Sequence, residues 1–511
     1  MSLPNPQAQA IALNRFGLGA RSEEAPPADP RKWLRDQFAA FEPKPAALAA
    51  LPAPGAFARE YFQEVGELVK QMGTAPPPPA APALPGALPA ASMMDGRAAP
   101  ASPTGQTSAA VTMADDARMR LEKQQRREAL NAEVRATYRL AVNARLESAL
   151  TTEAPFVERL ASFWSNHFAL SIEKPQVGIY AADFELTAIR PYVLGRFEDM
   201  LLAVERHPAM LYYLDQFRSV GPNSPFGQRA NLRRPDRKIG LNENLAREIM
   251  ELHTLGVRTG YDQGDVTEFA RAMTGWSVGG LGPMAAKDNV ELGAFMFRPG
   301  IHEPGERTIM ARRYDDAGEG QARAVLHDLA QSPATAKHIS TKLARHFVAD
   351  DPPPALVDRL RTAYLSSRGD LATVYRALID APESWAPGEP KFKTPWDWTV
   401  SALRGLGRKD LGKMDAAPLL SQLGQPIWRP GSPAGFDDMS ASWAAPDALM
   451  RRVEIAQRFA AQAGGQVDAR ELAPRLLPGQ LTPATATALS QAESGPTALA
   501  LLLVSPEFQR R

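Results

Sequence analysis

The sequence predicts a mainly α protein, a multi-helix globular domain with one short β-hairpin and a disordered Pro/Ala-rich insertion. Apolar residues recur every four positions at Leu130, Val134, Tyr138, Val142 and Leu146, with Arg and Glu between them. This spacing is typical of a long amphipathic helix. Signals that begin a helix recur along the chain, whereas strand signals are sparse. These observations favour helices packed on helices.

Helix starts are marked by a capping residue followed by proline. Asp29-Pro30 has this form, because proline fits the first helical turn and the preceding side chain can accept from free amide groups. Asp262 with Asp265 resembles a capping box, and Gly275 stands where a glycine would end that helix. The cap-then-proline signal returns in the second half, at Ser332-Pro333, Asp351-Pro352, Thr394-Pro395 and Thr482-Pro483.

Strand patterns are concentrated at one place. Phe295-Met296-Phe297 and Thr308-Ile309-Met310 flank a Gly/Pro-rich turn, which predicts one short hairpin. Two other stretches, Trp276 to Gly293 and Gln425 to Asp438, have little periodicity. Because long irregular loops inside a globular domain are often functional, both are candidate walls of a site.

A segment rich in Pro, Ala, Gly and Ser interrupts the chain from Gly73 to about Thr112. Such a composition cannot bury enough apolar surface to offset the entropy lost on ordering. The predicted organisation is therefore N-terminal helices at 1–72 that pack on the main domain, a disordered insertion at 73–112, and a main helical domain at 113–511.

Composition excludes several functional classes. The 511 residues include 58 Lys plus Arg against 57 Asp plus Glu, so no net field draws the chain to nucleic acid. The absence of Cys excludes disulfides, thiolate metal sites and a cysteine nucleophile. No apolar run approaches the roughly 20 residues of a membrane span, and no signal-peptide pattern is present. We expect no transmembrane segment and, for the chain as written, a cytoplasmic location, with a periplasmic or exported one as the alternative.

One predicted helix concentrates polar side chains. Its caps would be Asn242 and Gly256, which gives roughly three to four turns. Leu245, Ile249 and Leu252 would face the core. Residues three and four apart are neighbours on a helix, so an adjacent face collects an amide, a guanidinium and two carboxylates, namely Asn244, Arg247, Glu248 and Glu251.

Two interpretations of this polar face remain open. In the first it forms a site, with Asn244 and Arg247 binding substrate and Glu248 and Glu251 acting in catalysis or holding a metal. In the second, Glu243, Arg247 and Glu251 form an ion-pair ladder at i, i+4 and i+8, which is a common support of helices.

The seven histidines show no metal-binding spacing such as His-Glu-x-x-His, so the metal and any cofactor stay unassigned. His167 and His346 lie on or beside apolar helical stripes, where a hydrogen-bonded core histidine is the simpler interpretation. His302 lies in an irregular turn that needs no imidazole, so it joins the glutamates as a candidate catalytic residue. Trp276 would add an aromatic surface that binds substrate.

Several blocks of the sequence are similar to one known family. They include Asn14-Arg15-Phe16-Gly17, Phe163-Trp164-Ser165-Asn166-His167-Phe168, Leu241 to Val257, Asp265 to Trp276, Lys342-Leu343-Ala344-Arg345-His346-Phe347, Gln425 to Phe436 and Ser505-Pro506-Glu507-Phe508. On these blocks the chain resembles the bacterial domain-of-unknown-function family numbered eighteen hundred, over nearly its whole length outside the insertion. The resemblance implies one helical domain without accepted catalytic residues, often encoded beside an exported partner similar to sulfatases and alkaline phosphatases.

Three functions are compatible with these observations. The leading hypothesis is an accessory or assembly protein that acts with such a partner in export or maturation of a cell-envelope component, because no recognised catalytic signature is present. The first alternative is a hydrolase or ligand-binding enzyme that uses the Glu/Arg/His site. The second is a purely structural domain.

Overall fold

Helices account for most of the chain, as predicted. The computed structural model describes residues 5–73, 104–233, 239–280, 290, 293–388, 390–463 and 467–511. The α-helices of the first half are α1 (Pro6–Ala10), α2 (Pro30–Ala40), α3 (Ala46–Ala49), α4 (Pro54–Gly73), α5 (Thr104–Thr151), α6 (Pro155–His167), α7 (Pro175–Phe184), α8 (Phe197–Glu205), α9 (Pro208–Tyr213), α10 (Pro225–Arg233), α11 (Asn244–Glu248) and α12 (Gln263–Met273).

The second half continues in the same way. Its helices are α13 (Glu319–Gln331), α14 (Pro333–Phe347), α15 (Pro354–Ser366), α16 (Leu371–Asp380), α17 (Pro395–Gly405), α18 (Ala416–Gln422), α19 (Pro446–Ala463), α20 (Ala469–Leu476), α21 (Pro483–Gln491) and α22 (Gly495–Leu503). Within the described ranges, π-helical turns occupy Ile11–Phe16, Glu185–Ile189 and Ile249–His253. None of the described helices combines the length and apolar character that crossing a bilayer requires.

The long helix predicted around Leu130 to Leu146 is confirmed as α5. It begins at Thr104, so the predicted end of the insertion near Thr112 falls inside this helix. No proline stands between Pro103 and Pro155 to stop a helix, which explains the early start. The rest of the predicted insertion falls largely on residues 74–103, which lie outside the described residues.

The predicted helix starts are confirmed with one exception. Side chains accept from first-turn amides at Asp29, Ser332, Thr394 and Thr482, and Asp262 and Asp265 form a reciprocal capping box. The exception is Asp351-Pro352, because α15 begins only at Pro354. Each residue before a proline avoids the helical conformation. The run Pro352-Pro353-Pro354 therefore stays extended until its last proline can occupy the first helical position.

Both predicted strand segments are strands, but they do not pair with each other. β1 (Trp276–Val278) pairs antiparallel with β2 (Phe295–Phe297), and β3 (Arg307–Ile309) pairs antiparallel with β4 (Arg312–Tyr314). The turn between β3 and β4 places Met310 and Ala311 at φ of 49° and 61°. Two left-handed residues match the twist of a tight two-residue hairpin, which favours this local pairing over the predicted one.

Buried apolar residues form two clusters, here called the first core and the second core. The first core includes Phe156 and Leu160 of α6, and the second includes Trp398 of α17. α5 passes from one to the other, because Val134 lies in the first core and Leu146 in the second.

The N-terminal segment packs on later parts of the chain. The Phe16 ring stacks on Phe347 with centroids 5.8 Å apart, and an Arg15 nitrogen donates to the Ser384 carbonyl at 2.7 Å. The N-terminal segment thus contacts α14 and the segment that follows α16, while the predicted organisation, with its division at 1–72, 73–112 and 113–511, stays a proposal.

Two buried ion pairs lie side by side in the interior. Arg190 donates to both carboxylate oxygens of Glu158 at 2.7 and 2.8 Å. Arg145 donates to Glu185 at 2.8 Å, and Arg190 lies 3.9 Å from the same carboxylate. All four side chains are nearly inaccessible to water, so each charge depends on its partner in place of solvent.

Replacing Arg190 with Met should lower the free energy of unfolding by about 3–5 kcal/mol, because Glu158 would remain buried and unpaired. The matched control is Lys32→Met, which breaks the exposed ion pair with Asp36 at 2.6 Å and should leave the free energy of unfolding nearly unchanged. Urea unfolding measures both. Equal losses in the two variants would contradict the role given to the buried pairs.

Candidate functional site

The predicted polar helix combines two helical forms. α11 continues as the π-helical turn Ile249–His253. The Asn242 side chain accepts from the Asn244 amide at 3.0 Å, as expected of a residue at the helix start. A π-helical turn holds more residues than an α-helical turn, so the core-facing side changes. Leu252, predicted to face the core, is partly exposed, whereas His253 is buried.

The polar face of α11 is a hydrogen-bonded network at the surface. Arg247 pairs with Glu243 at 3.1 Å and donates to Gln263 at 3.0 Å. The Thr267 hydroxyl donates to Glu243 at 2.7 Å, and Asn244 is exposed. The first pair of the predicted ion-pair ladder, Glu243 with Arg247, is therefore present.

Glu251 and Glu248 lie in different surroundings from that network. Burial, followed by a hydrogen bond to Glu251, raises the pKa of Tyr261 to about 12. Burial also raises the pKa of Glu248 against the opposing influence of His253, and the nearby Glu251 carboxylate adds to the rise. A raised pKa is the direction of shift that favours a carboxyl group as a general acid.

His302 and Trp276 contact residues of the β1–β2 pair and its surroundings, away from the polar face of α11. His302 Nδ1 lies 2.7 Å from the Thr274 carbonyl, and its ring packs edge-on against Phe297. Trp276 in β1 is fully buried and packs edge-on against Phe295. The contacts described for the six predicted residues thus divide them into two groups, one on α11 and one beside the strands. Their action in one pocket stays a prediction.

The two predicted walls have different outcomes. Residues 281–289 and 291–292 of the first wall lie outside the described residues. The second wall, Gln425 to Asp438, borders a cavity of about 60 Å³ that is also lined by Arg145, Trp396 and residues of α6. The lack of periodicity in this stretch therefore did locate a concave surface.

A polar cluster that the sequence did not single out surrounds Asp438, at the end of this wall. The Asp438 carboxylate lies 3.0 Å from His346 Nδ1, and its backbone carbonyl accepts from Lys391 at 2.6 Å. Despite burial, the pKa of Asp438 falls to about 2, because His346, Arg511 and Lys391 stabilise its charge. His346 and Asp438 are far apart in sequence, so no local pattern could have revealed their pairing.

Lys342 lies one helical turn before His346 on α14. No hydrogen bond or ion pair joins it to another residue in the described ranges. Burial lowers its pKa from 10.5 to about 8, although the Asp438 carboxylate opposes this shift. A lysine with a lowered pKa accepts protons or attacks electrophiles near neutral pH more readily than an exposed one.

The fold defines a mainly α protein with two apolar cores. The chain belongs to the family described as "Protein of unknown function (DUF1800)", whose model matches residues 11–510. The family resemblance seen in the sequence blocks is thereby confirmed. No curated protein and no solved structure gives a significant match.

Replacing Lys342 with Met should change how stability depends on pH. Below pH 8 the lysine is charged in both the folded and unfolded states, and the folded state bears the cost of partly desolvating that charge. Between about pH 8 and 10.5 the folded state has released the proton and the unfolded state still binds it, so wild-type stability gains from rising pH in this window.

The Lys342→Met variant should therefore be more stable at pH 7, by on the order of 1 kcal/mol after allowance for solvent screening. Its advantage in stability over wild type should shrink as the pH rises from about 8 to 10.5. Urea unfolding at several pH values measures both effects, with Lys337→Met at an exposed position of α14 as the control. If the stability of Lys342→Met depended on pH in the same way as that of wild type, the lowered pKa of Lys342 would be refuted.

Proposed function

We propose that the chain is an accessory protein that binds a partner and works with it in export or maturation of a cell-envelope component. The observation that supports this is an irregular segment, residues 425–443, that is hydrogen-bonded to polar side chains of other elements; it is called the anchored loop below. A simple connection between helices needs no such anchoring. A loop held in one conformation loses less entropy on binding, so it suits recognition of a partner.

The anchors come from three separate elements. Asn166 of α6 accepts from the Phe436 amide at 2.8 Å and donates to the Phe436 carbonyl at 2.9 Å. His346 of α14 and Lys391 hold Asp438. Each anchor replaces a hydrogen bond that the irregular backbone or carboxylate would otherwise make with water.

The outward side of the anchored loop carries mostly small side chains, together with two charged ones and one methionine. Its exposed residues include Arg429, Gly431, Ser432, Ala434, Asp437 and Met439. Small side chains allow a partner to approach the backbone closely, and methionine adapts to varied apolar surfaces. The partner that the family resemblance implies is an exported protein similar to sulfatases and alkaline phosphatases, so the proposed work requires the periplasmic or exported location.

Replacing Asn166 with Ala should weaken partner binding at least about tenfold, because it frees the anchored loop at Phe436. Tagged full-length chain is purified from its native host, and the affinity of the co-purified partner is then measured for each variant. The matched control is Asn231→Ala, since Asn231 holds the Ile239 amide and carbonyl in the same two-bond manner. Failure of wild type to recover a stoichiometric partner, or equal weakening by both variants, would contradict the proposal.

A hydrolase that uses the polar helix is the second candidate. The raised pKa of the half-buried Glu248 favours it, because such a carboxyl group can donate a proton to a leaving group. In this scheme Glu251 and His302 complete the acid–base groups, and Arg247 and Asn244 bind an anionic or polysaccharide substrate.

Glu248→Gln should then reduce turnover by about 10²-fold or more, because the amide cannot transfer the proton. Purified protein is assayed against 4-nitrophenyl phosphate, sulfate and glycosides. Glu319→Gln is the control and should leave turnover unchanged, since Glu319 is half-buried like Glu248 but pairs with Arg206 at 3.1 Å, outside the polar helix. No turnover by wild type, or equal turnover by Glu248→Gln and wild type, would rule out this candidate.

A further inference from the structure

Lys342 lies on a face of α14 whose neighbouring imidazole rings already have partners. His338 and His346, four residues before and after it, share this face because such positions are neighbours on a helix. His338 Nε2 lies 3.1 Å from the Leu252 carbonyl, and His346 Nδ1 lies 3.0 Å from the Asp438 carboxylate. Both rings are thus held by residues outside α14, whereas the amine between them has no hydrogen-bond partner in the described ranges.

The Lys342 amine can be reached from solvent. The residue is half-buried, and its nitrogen does not belong to the unpartnered atoms that the described structure seals off from water. A small molecule can therefore approach the nitrogen without displacing a hydrogen bond of the protein.

Two other described lysines share a lowered pKa but not the free amine. Burial lowers the pKa of Lys391, and it lowers that of Lys393 to about 7. Both side chains are almost inaccessible to water. Lys391 donates to the Asp350 carboxylate at 2.6 Å, and Lys393 donates to the Ser401 hydroxyl at 3.1 Å. Lys342 differs from both because its amine is unpartnered and in contact with solvent.

An unprotonated amine is the form of lysine that attacks carbonyl carbon. Burial lowers the pKa of Lys342 to about 8, so about one-tenth of its amine is unprotonated at pH 7. For an amine with the ordinary pKa of 10.5 the fraction is roughly 0.03%. The Lys342 amine is therefore prepared for attack on a carbonyl group at neutral pH.

The Asp438 carboxylate favours a product that keeps the positive charge of Lys342. It stabilises that charge through space. A protonated imine carries the same single positive charge as the ammonium group, so this attraction persists when an imine forms. Acylation would remove the charge and carboxylation would reverse it, and either would forfeit the attraction. Among the products of an amine with a carbon electrophile, the surroundings thus favour an imine.

We propose that Lys342 is the attachment site of a small aldehyde, held as a protonated imine. An aldehyde suits a half-buried amine better than a ketone does, because its carbonyl carbon bears only one substituent. This site is independent of both functions proposed above, since neither of them uses Lys342.

The reaction consumes no oxidant or reductant. The ammonium group releases one proton, and the nitrogen lone pair then attacks the carbonyl carbon while a second proton moves from nitrogen to the carbonyl oxygen. The C–O bond of this carbinolamine breaks, and the oxygen takes up the proton released first and leaves as water. The ammonium group and the aldehyde thus give a protonated imine and one water molecule.

Reductive trapping on the full chain at pH 7 tests the proposal. Glycolaldehyde is the probe, sodium cyanoborohydride reduces the imine to a stable amine, and mass spectrometry of proteolytic peptides measures the rate of alkylation at each lysine. Lys342 should react at least about tenfold faster than Lys337, which is exposed on the same helix, because its lowered pKa leaves more of the amine unprotonated. Lys391 and Lys393 should react at least about tenfold more slowly than Lys342, because their amines are buried and hydrogen-bonded.

Lys342→Met is the test variant, and Lys337→Met is the matched control on the same helix. The first should remove the fast-reacting amine and leave the rate at Lys337 unchanged, whereas the second should leave the rate at Lys342 unchanged. Alkylation of Lys342 no faster than that of Lys337 would overturn the proposal. Alkylation of Lys393 as fast as that of Lys342 would also overturn it, because a lowered pKa alone, without a free amine, would then suffice.

Discussion

Pairing of buried charges between the two cores is the constraint on which the rest of the structure depends. Arg159 of α6, beside the first core, pairs with Asp397 of α17, beside the second, at 3.0 Å. Arg145 of α5 reaches Glu185 in the same way. Neither charge of such a pair tolerates burial alone. The helices that carry the pairs must therefore meet in one arrangement, whereas apolar packing alone would tolerate several.

The same constraint makes α6 the central element of the candidate sites. One side of this helix supplies Trp164 and Phe156 to the first core. Its other side places Ser162, Ser165 and Asn166 along the cavity, because positions three and four apart share a helix face. Asn166 also fixes the anchored loop. Core packing, cavity wall and loop position are thus set by one short helix, which links the stability of the fold to the geometry available for binding.

Features governed by neighbouring residues could be predicted from the sequence, and features governed by distant ones could not. Helix caps such as Asp29 and Thr394 depend on a few adjacent residues and were predicted correctly. The pairing of β2 with β1, and of His346 with Asp438, joins segments that only the complete fold brings together. The burial of His253 in place of Leu252 follows from a π-helical turn, for which the local sequence gives no signal. Part of the irregular stretch Gln425 to Asp438 lines a cavity, while its role as the wall of a functional site stays a prediction.

The contrast between polar groups with and without hydrogen-bond partners helps to distinguish a binding role for the chain from a catalytic one. Asp438, His346 and Lys391 are bonded to one another and so maintain a shape. A second set, comprising Lys342, Arg145 Nη1 and the indole nitrogens of Trp396 and Trp428, lacks partners in the described chain. Apart from the amine of Lys342, this set consists of hydrogen-bond donors that do not ionise near neutral pH. Such donors do not transfer protons, so proton transfer would fall to ionisable groups such as Lys342, His302 and the carboxyl groups of the polar helix.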